Sequence, residues 1–165
     1  MSQLTKEDIN KVFEVCDPME KAVILLMLSI KADPREITRL KLVDFIASIS
    51  RNLKDPENVR KVSGDWIVGY NIESNSLEGT TAIVDYLNWR AKNGPIYLDE
   101  SLFVNADGEP LYEEDIHFMF HDLNNKASLE KRTFTVQNLN NMDYSFENCE
   151  CSGENIILNV AWGFK

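Results

Sequence analysis

The sequence predicts a mainly α-helical fold with a small antiparallel β-sheet, an α+β arrangement in one domain. Three observations predict it. Three helix-start signals fall within the first 40 residues, each followed by apolar residues at helical spacing. A β-branched and aromatic segment, "DWIVGYNIE" at 65–73, is followed by the turn-like "SNSLEG". The 165 residues match one domain in size, and no linker, repeat or low-complexity tract divides them.

Taken in order, "TKED" (5–8) places a Thr cap three residues ahead of Asp8, then apolar Ile9, Val12, Phe13 and Cys16. "DPME" (17–20) puts Asp at the cap, Pro at the first helical position and Glu at the third, ahead of the apolar run "AVILLML". "DPRE" (33–36) repeats that arrangement ahead of Ile37, Leu40 and Leu42. A capping Asp accepts from orphan amides and suits the positive end of the helix dipole, so Asp33 has a structural reason to be there. After the strand-like segment, "TTAIVDYLNWRAK" (80–92) reads as a helix broken by "NGP". A loop with an "ADGE" turn leads to a helix over 113–127, acidic in its first turn, with Ile116, Met119, Phe120 and Leu123 as its apolar stripe.

Charge and cysteine usage bound the function. The apolar run 22–28 is far too short to span a bilayer, and "MSQLTKEDIN" lacks the apolar stretch of a signal peptide. Three cysteines, an odd number, do not make a disulfide framework, so a reducing cytoplasm is expected and no membrane. The net charge of −10 opposes nonspecific nucleic-acid binding. The charge is uneven, however: residues 35–61 hold seven basic residues against four acidic ones, whereas 99–122 hold eight acidic residues and no Lys or Arg. The basic stretch keeps double-stranded DNA open as a partner, and the acidic one a basic protein.

Three motifs in order resemble the catalytic domain of tyrosine recombinases, the phage-integrase family. Glu36-Ile37, Leu40 and Asp44 match the steps of that family's pattern of Arg, two residues, Glu-Leu, two residues, Leu, three residues, Asp. "AIVDYLNWR…SLFVNADGEPLYEEDIHFMF" is similar to its helix, "LF" segment, Gly-containing turn and next helix. "FTVQNLNN" (134–141) is similar to the segment that carries its His-x-x-Arg. The likeness covers residues 5–165 and implies a tyrosine-recombinase catalytic-core-like fold, residues 1–165 being one domain without the N-terminal DNA-clamping domain. It also implies an origin in DNA recombination or integration, in a virus, plasmid or archaeal-type host.

In that family a tyrosine attacks a DNA phosphodiester, two arginines neutralise the phosphoryl oxygens, and a lysine and histidines move protons. The resemblance places Asp33 at the first arginine, Gln137 at the histidine, Asn140 at the second arginine and Phe164 at the later histidine. "ESNSLEGT" (73–80) holds no lysine where the family has one, and the chain stops at Lys165 before the nucleophilic tyrosine. No catalytic position is intact, so a noncatalytic role is expected, with no cofactor. Tyr144 lacks the charge partners a substitute nucleophile needs. Arg35, Arg39, Lys131 and Arg132 are the candidates for phosphate contact. His117 and His121, four apart on one helix face, form a conceivable zinc set with Cys149 and Cys151. The Cys-x-Cys spacing is tighter than usual structural pairs, so no metal is expected. The alternative expectation is an acidic protein-interaction module on a decayed recombinase scaffold.

Overall fold

A computed structural model describes residues 3–45, 77–94, 96–97, 99–144 and 162–163. In chain order these form α1 (Lys6–Val15), α2 (Pro18–Ile30), α3 (Pro34–Arg39), α4 (Leu77–Ala91), β1 (Ile96–Tyr97), α5 (Glu113–Lys126), α6 (Val136–Asn140) and β2 (Trp162–Gly163). The described residues are mainly helical, as the capping signals predict.

All three predicted caps form. Thr5 Oγ1 accepts from the Asp8 amide at 3.2 Å, and the Asp8 carboxylate accepts from the Thr5 amide at 3.1 Å. Asp17 and Glu20 make the same reciprocal pair at 2.8 and 2.9 Å. Asp33 accepts from the Glu36 amide at 2.9 Å, and Pro34 opens α3. Each bond satisfies an amide the helix cannot satisfy itself, and each proline gives up no needed donor.

The core is centred on α2 and α4, the most extensive helix pair. Every residue of α2 from Ala22 to Leu28 is buried, and α4 contributes Ala82, Ile83, Val84, Tyr86 and Leu87. Such side chains contribute roughly 1.5–3 kcal/mol each, so this pair carries more apolar stabilisation than the short α3 and α6. Helix α5 packs on α1 and α3, while α6 packs on α2. Two ring stacks extend the core: Tyr86 on Phe103 at 5.4 Å and Phe120 on Phe134 at 4.5 Å between centroids.

One expectation needs correction, and a second finds no support among the described residues. Helix α4 starts at Leu77, so Leu77–Gly79, read as turn from the sequence, is helical and Gly79 is buried in it. The strand pair among the described residues is parallel, Ile96 opposite Trp162 and Tyr97 opposite Gly163, rather than antiparallel. Antiparallel pairing is confined there to isolated bridges, Lys41 with Ser101 and Val104 with Pro110. The predicted strand at 65–73 lies outside the described residues, so an antiparallel sheet has no support from them. Loop pairing also links the two halves: the Leu42 amide donates to the Glu100 carbonyl and the Leu102 amide to the Leu40 carbonyl, each at 2.9 Å. Asp44, buried beside this bridge, accepts from the Lys41 amide at 2.8 Å and starts the helical turn at 42–45. Among the described residues no helix is long and apolar enough to cross a membrane.

Candidate functional site

Asp33, Gln137 and Asn140, the positions matched by the resemblance, lie on elements that meet at one end of α2. That helix ends at Lys31, whose left-handed backbone (φ 56°) turns the chain into α3. Lys31 Nζ donates to the Met142 carbonyl at 3.0 Å, tying this turn to the chain just past α6. Asp33 therefore stands in a turn fastened beside the short helix that carries Gln137 and Asn140. All three are exposed, and the Asp33 carboxylate is occupied as a cap. Phe164 lies outside the described residues.

The turn before α6 is held by two amide side chains. Buried Asn124 of α5 accepts from the Phe134 amide at 2.7 Å and donates to the Glu130 carbonyl at 3.1 Å. Asn138 of α6 donates to the carbonyls of Arg132 and Thr133 at 3.3 and 2.9 Å. Between these anchors Arg132 adopts φ 62°, a conformation few non-glycine residues hold without such support. Its side chain, with His117 and His121, lines a cleft of about 130 Å³ floored by Phe120 and Phe134. That volume is below the ~300 Å³ at which drug-sized ligand sites begin.

Arg35, Arg39, Lys131 and Arg132 are all exposed, and none forms an ion pair among the described residues. Arg35 and Arg39 ride on α3, which packs on α5; Lys131 and Arg132 follow α5 in the chain. The cations thus flank the α2–α3 turn and α6 without converging on one buried point. Tyr144 is half-buried against the core, with the Lys6 ammonium 6.0 Å from its ring centroid. Cys16 is no substitute nucleophile: burial, reinforced by the Glu20 and Asp17 carboxylates, pushes its thiol up to about 12, away from the reactive thiolate. His117 and His121 both sit exposed on α5, whereas Cys149 and Cys151 lie outside the described residues. Among the described residues no three His, Cys, Asp or Glu side chains are grouped to hold a metal ion.

One further cleft was not anticipated from the sequence. Between the end of α4 and the 104–108 turn opens a cleft of about 380 Å³, lined by Asp17, Met19, Trp89, Arg90, Glu100 and Asp107 among others. Arg90 builds it. Its Nη1 donates to the Ser101 and Leu102 carbonyls at 2.9 and 3.1 Å, and its Nη2 to Glu100 Oε2 at 3.1 Å. The buried Tyr86 hydroxyl accepts from the Val104 amide at 3.2 Å, and desolvation raises its pKa. Asn105 Oδ1 accepts from the amides of Asp107 and Glu109, shaping a turn in which Gly108 takes φ 80°. A signal was available: "NWR" ends a helix otherwise apolar on its inner side, and a Trp-Arg pair there need not be packing alone.

Comparison with protein families, curated proteins and solved structures found no match to this chain. The recombinase resemblance therefore rests on the residues quoted for it.

Proposed function

We propose that this chain is a noncatalytic binding domain, a degenerate tyrosine-recombinase-like core that touches duplex DNA as an accessory of recombination or integration. The observation that carries this reading is the Lys31–Met142 bond, which fastens the turn holding Asp33 beside α6, the segment matched to the family's His-x-x-Arg. Around that junction Arg35, Arg39, Lys131 and Arg132 are exposed and unspent on ion pairs among the described residues. They are suited to phosphate oxygens, which position a protein on DNA without reading its sequence. The net charge of −10 works against them, so binding is weak and steeply salt-dependent.

The test is anisotropy of a labelled duplex at low and at physiological salt. The wild-type chain should bind saturably at low salt, and Arg35→Ala/Arg39→Ala should flatten the plot of log K against log salt by about 2. No binding at low salt rules the DNA reading out. A covalent adduct on a nicked duplex would overturn the noncatalytic part.

A second reading, an acidic docking module for a basic protein, has its own observation. Tyr112 and Phe118 are 68% and 71% exposed at the start of α5, beside Glu113, Glu114 and Asp115. Large aromatics that exposed contribute little to folding and are available for contact with a partner. A Lys- and Arg-rich peptide that binds the chain, with no duplex binding at low salt, would favour this reading over the first.

A further inference from the structure

In the 380 Å³ cleft an aromatic face, carboxylates without an ion pair among the described residues, and adequate volume coincide. Trp89 is 43% exposed and backed by Tyr86, whose ring centroid lies 6.4 Å away. The cleft's own cation is already used, because Arg90 is bound to Glu100 and to two carbonyls. Two carboxylates remain around the rim. Asp107 is exposed and makes no ion pair among the described residues. Asp17 uses Oδ1 as a helix cap for the Glu20 amide, which leaves its charge in place. Met19 and Ile96 supply apolar wall.

From this we infer that the cleft is a pocket for an ammonium or guanidinium head, presented by a Lys or Arg side chain of a basic protein segment. The tryptophan face attracts the cation through its quadrupole, and the carboxylates accept its charged donors. The aliphatic stem of such a side chain lies against Met19 and Ile96 while its head meets the rim. Among the described residues no three His, Cys, Asp or Glu side chains are grouped to hold a metal ion, so the cleft's chemistry favours an organic cation. A free small amine is a poorer fit than a protein segment. The pocket draws part of its lining from the 99–122 stretch, which holds eight acidic residues; Glu100 and Asp122 are paired with Arg90 and Lys126, and the others offer further charge to neighbouring cations of the same segment. The inference rests on the docking reading above and is independent of the DNA reading, which uses other residues.

The experiment titrates the full chain into a fluorescein-labelled peptide of alternating Lys, Arg and Gly, with a Ser-Gly peptide as control. The expected result is saturable binding of the basic peptide alone, quenching of tryptophan emission, and affinity about fivefold lower in Trp89→Ala, with Trp89→Phe recovering part of it. Asp107→Asn should weaken binding as well, and both positions are exposed enough for the variants to fold. Lys11→Gln, on the exposed side of α1 and outside the cleft, should leave the affinity unchanged. Peptide binding that ignores Trp89→Ala and Asp107→Asn would overturn the pocket while leaving the docking reading to the Phe118 face. Absence of peptide binding would overturn both. If n-butylamine binds as tightly as the peptide, the source is a free amine and the protein-segment assignment fails.

Discussion

The 130 Å³ and 380 Å³ clefts are built the same way and rimmed by different chemistry. In each, a helix sends one polar side chain into a neighbouring loop and holds it by its backbone. Asn124 of α5 holds residues 130–134, and Arg90 of α4 holds residues 100–102. The smaller cleft is then rimmed by His117, His121 and Arg132, the larger by Asp17, Glu100 and Asp107 around Trp89. Net charge alone would assign this chain a single taste for cations. The comparison teaches that the loop each side chain captures, rather than the total charge, decides what a given surface can bind.

The comparison can be broken by removing the anchors one at a time. Arg90→Met has the largest expected effect, because it keeps the stem but strands two carbonyls and the Glu100 carboxylate. A loss of about 2–3 kcal/mol is expected in chemical denaturation, moderated because Glu100 is 29% exposed and water screens part of the change. Asn124→Ala should come next, at about 2 kcal/mol, since it leaves the Phe134 amide buried without an acceptor. The two variants should loosen different clefts. With Trp66 and Trp162 replaced by Phe, so that Trp89 is the emitting tryptophan, emission should shift in Arg90→Met and stay put in Asn124→Ala. If both variants shift it equally, the two loops are one cooperative unit and the two clefts are not independent.

A finer probe is Gly108→Ala, also in the larger cleft. Gly108 has φ 80° with open space where a Cβ would lie, so the cost is backbone strain alone. About 1 kcal/mol is expected, the penalty for placing an L residue in that region. A stability loss several-fold larger would mean that the 104–110 turn anchors more of the core than its bridge to Pro110 implies.

How far the sequence announced all this divides along the same line. The caps at Thr5, Asp17 and Asp33 and the stripe on α5 were legible because each is a local pattern, completed within three or four residues. The exposed candidates Arg35, Arg39, Lys131 and Arg132 were legible as charges, though nothing local said that Lys31 would reach Met142, 111 residues away. Arg90 and Asn124 were not legible as anchors. An arginine in the last turn of a helix and an asparagine near the end of another read as solvated surface, and their partners are carbonyls, which carry no residue identity. The 380 Å³ cleft followed them out of sight, because its walls come from α2, α4 and a turn that only those anchors bring together.

The smallest expected effect tests the junction of α1 and α2, beside the larger cleft. Burial raises the Glu20 pKa, while its bond to the Asp17 amide pulls the other way and the Asp17 charge adds to the rise. A carboxyl whose folded pKa lies above its unfolded value favours the folded state when protonated. That contribution is present below the unfolded value of about 4.5 and is lost as pH climbs through the raised one. Glu20→Gln keeps an oxygen for the Asp17 amide and removes the charge, so it should be more stable than wild type at neutral pH. The advantage should shrink on acidification and vanish once wild-type Glu20 is itself protonated. Denaturation midpoints measured from pH 4 to pH 7 would show the two curves converging at the acid end. Curves that stay parallel would mean that the capping bond, not burial, governs Glu20, and that the rim beside Asp17 is better hydrated than its burial implies.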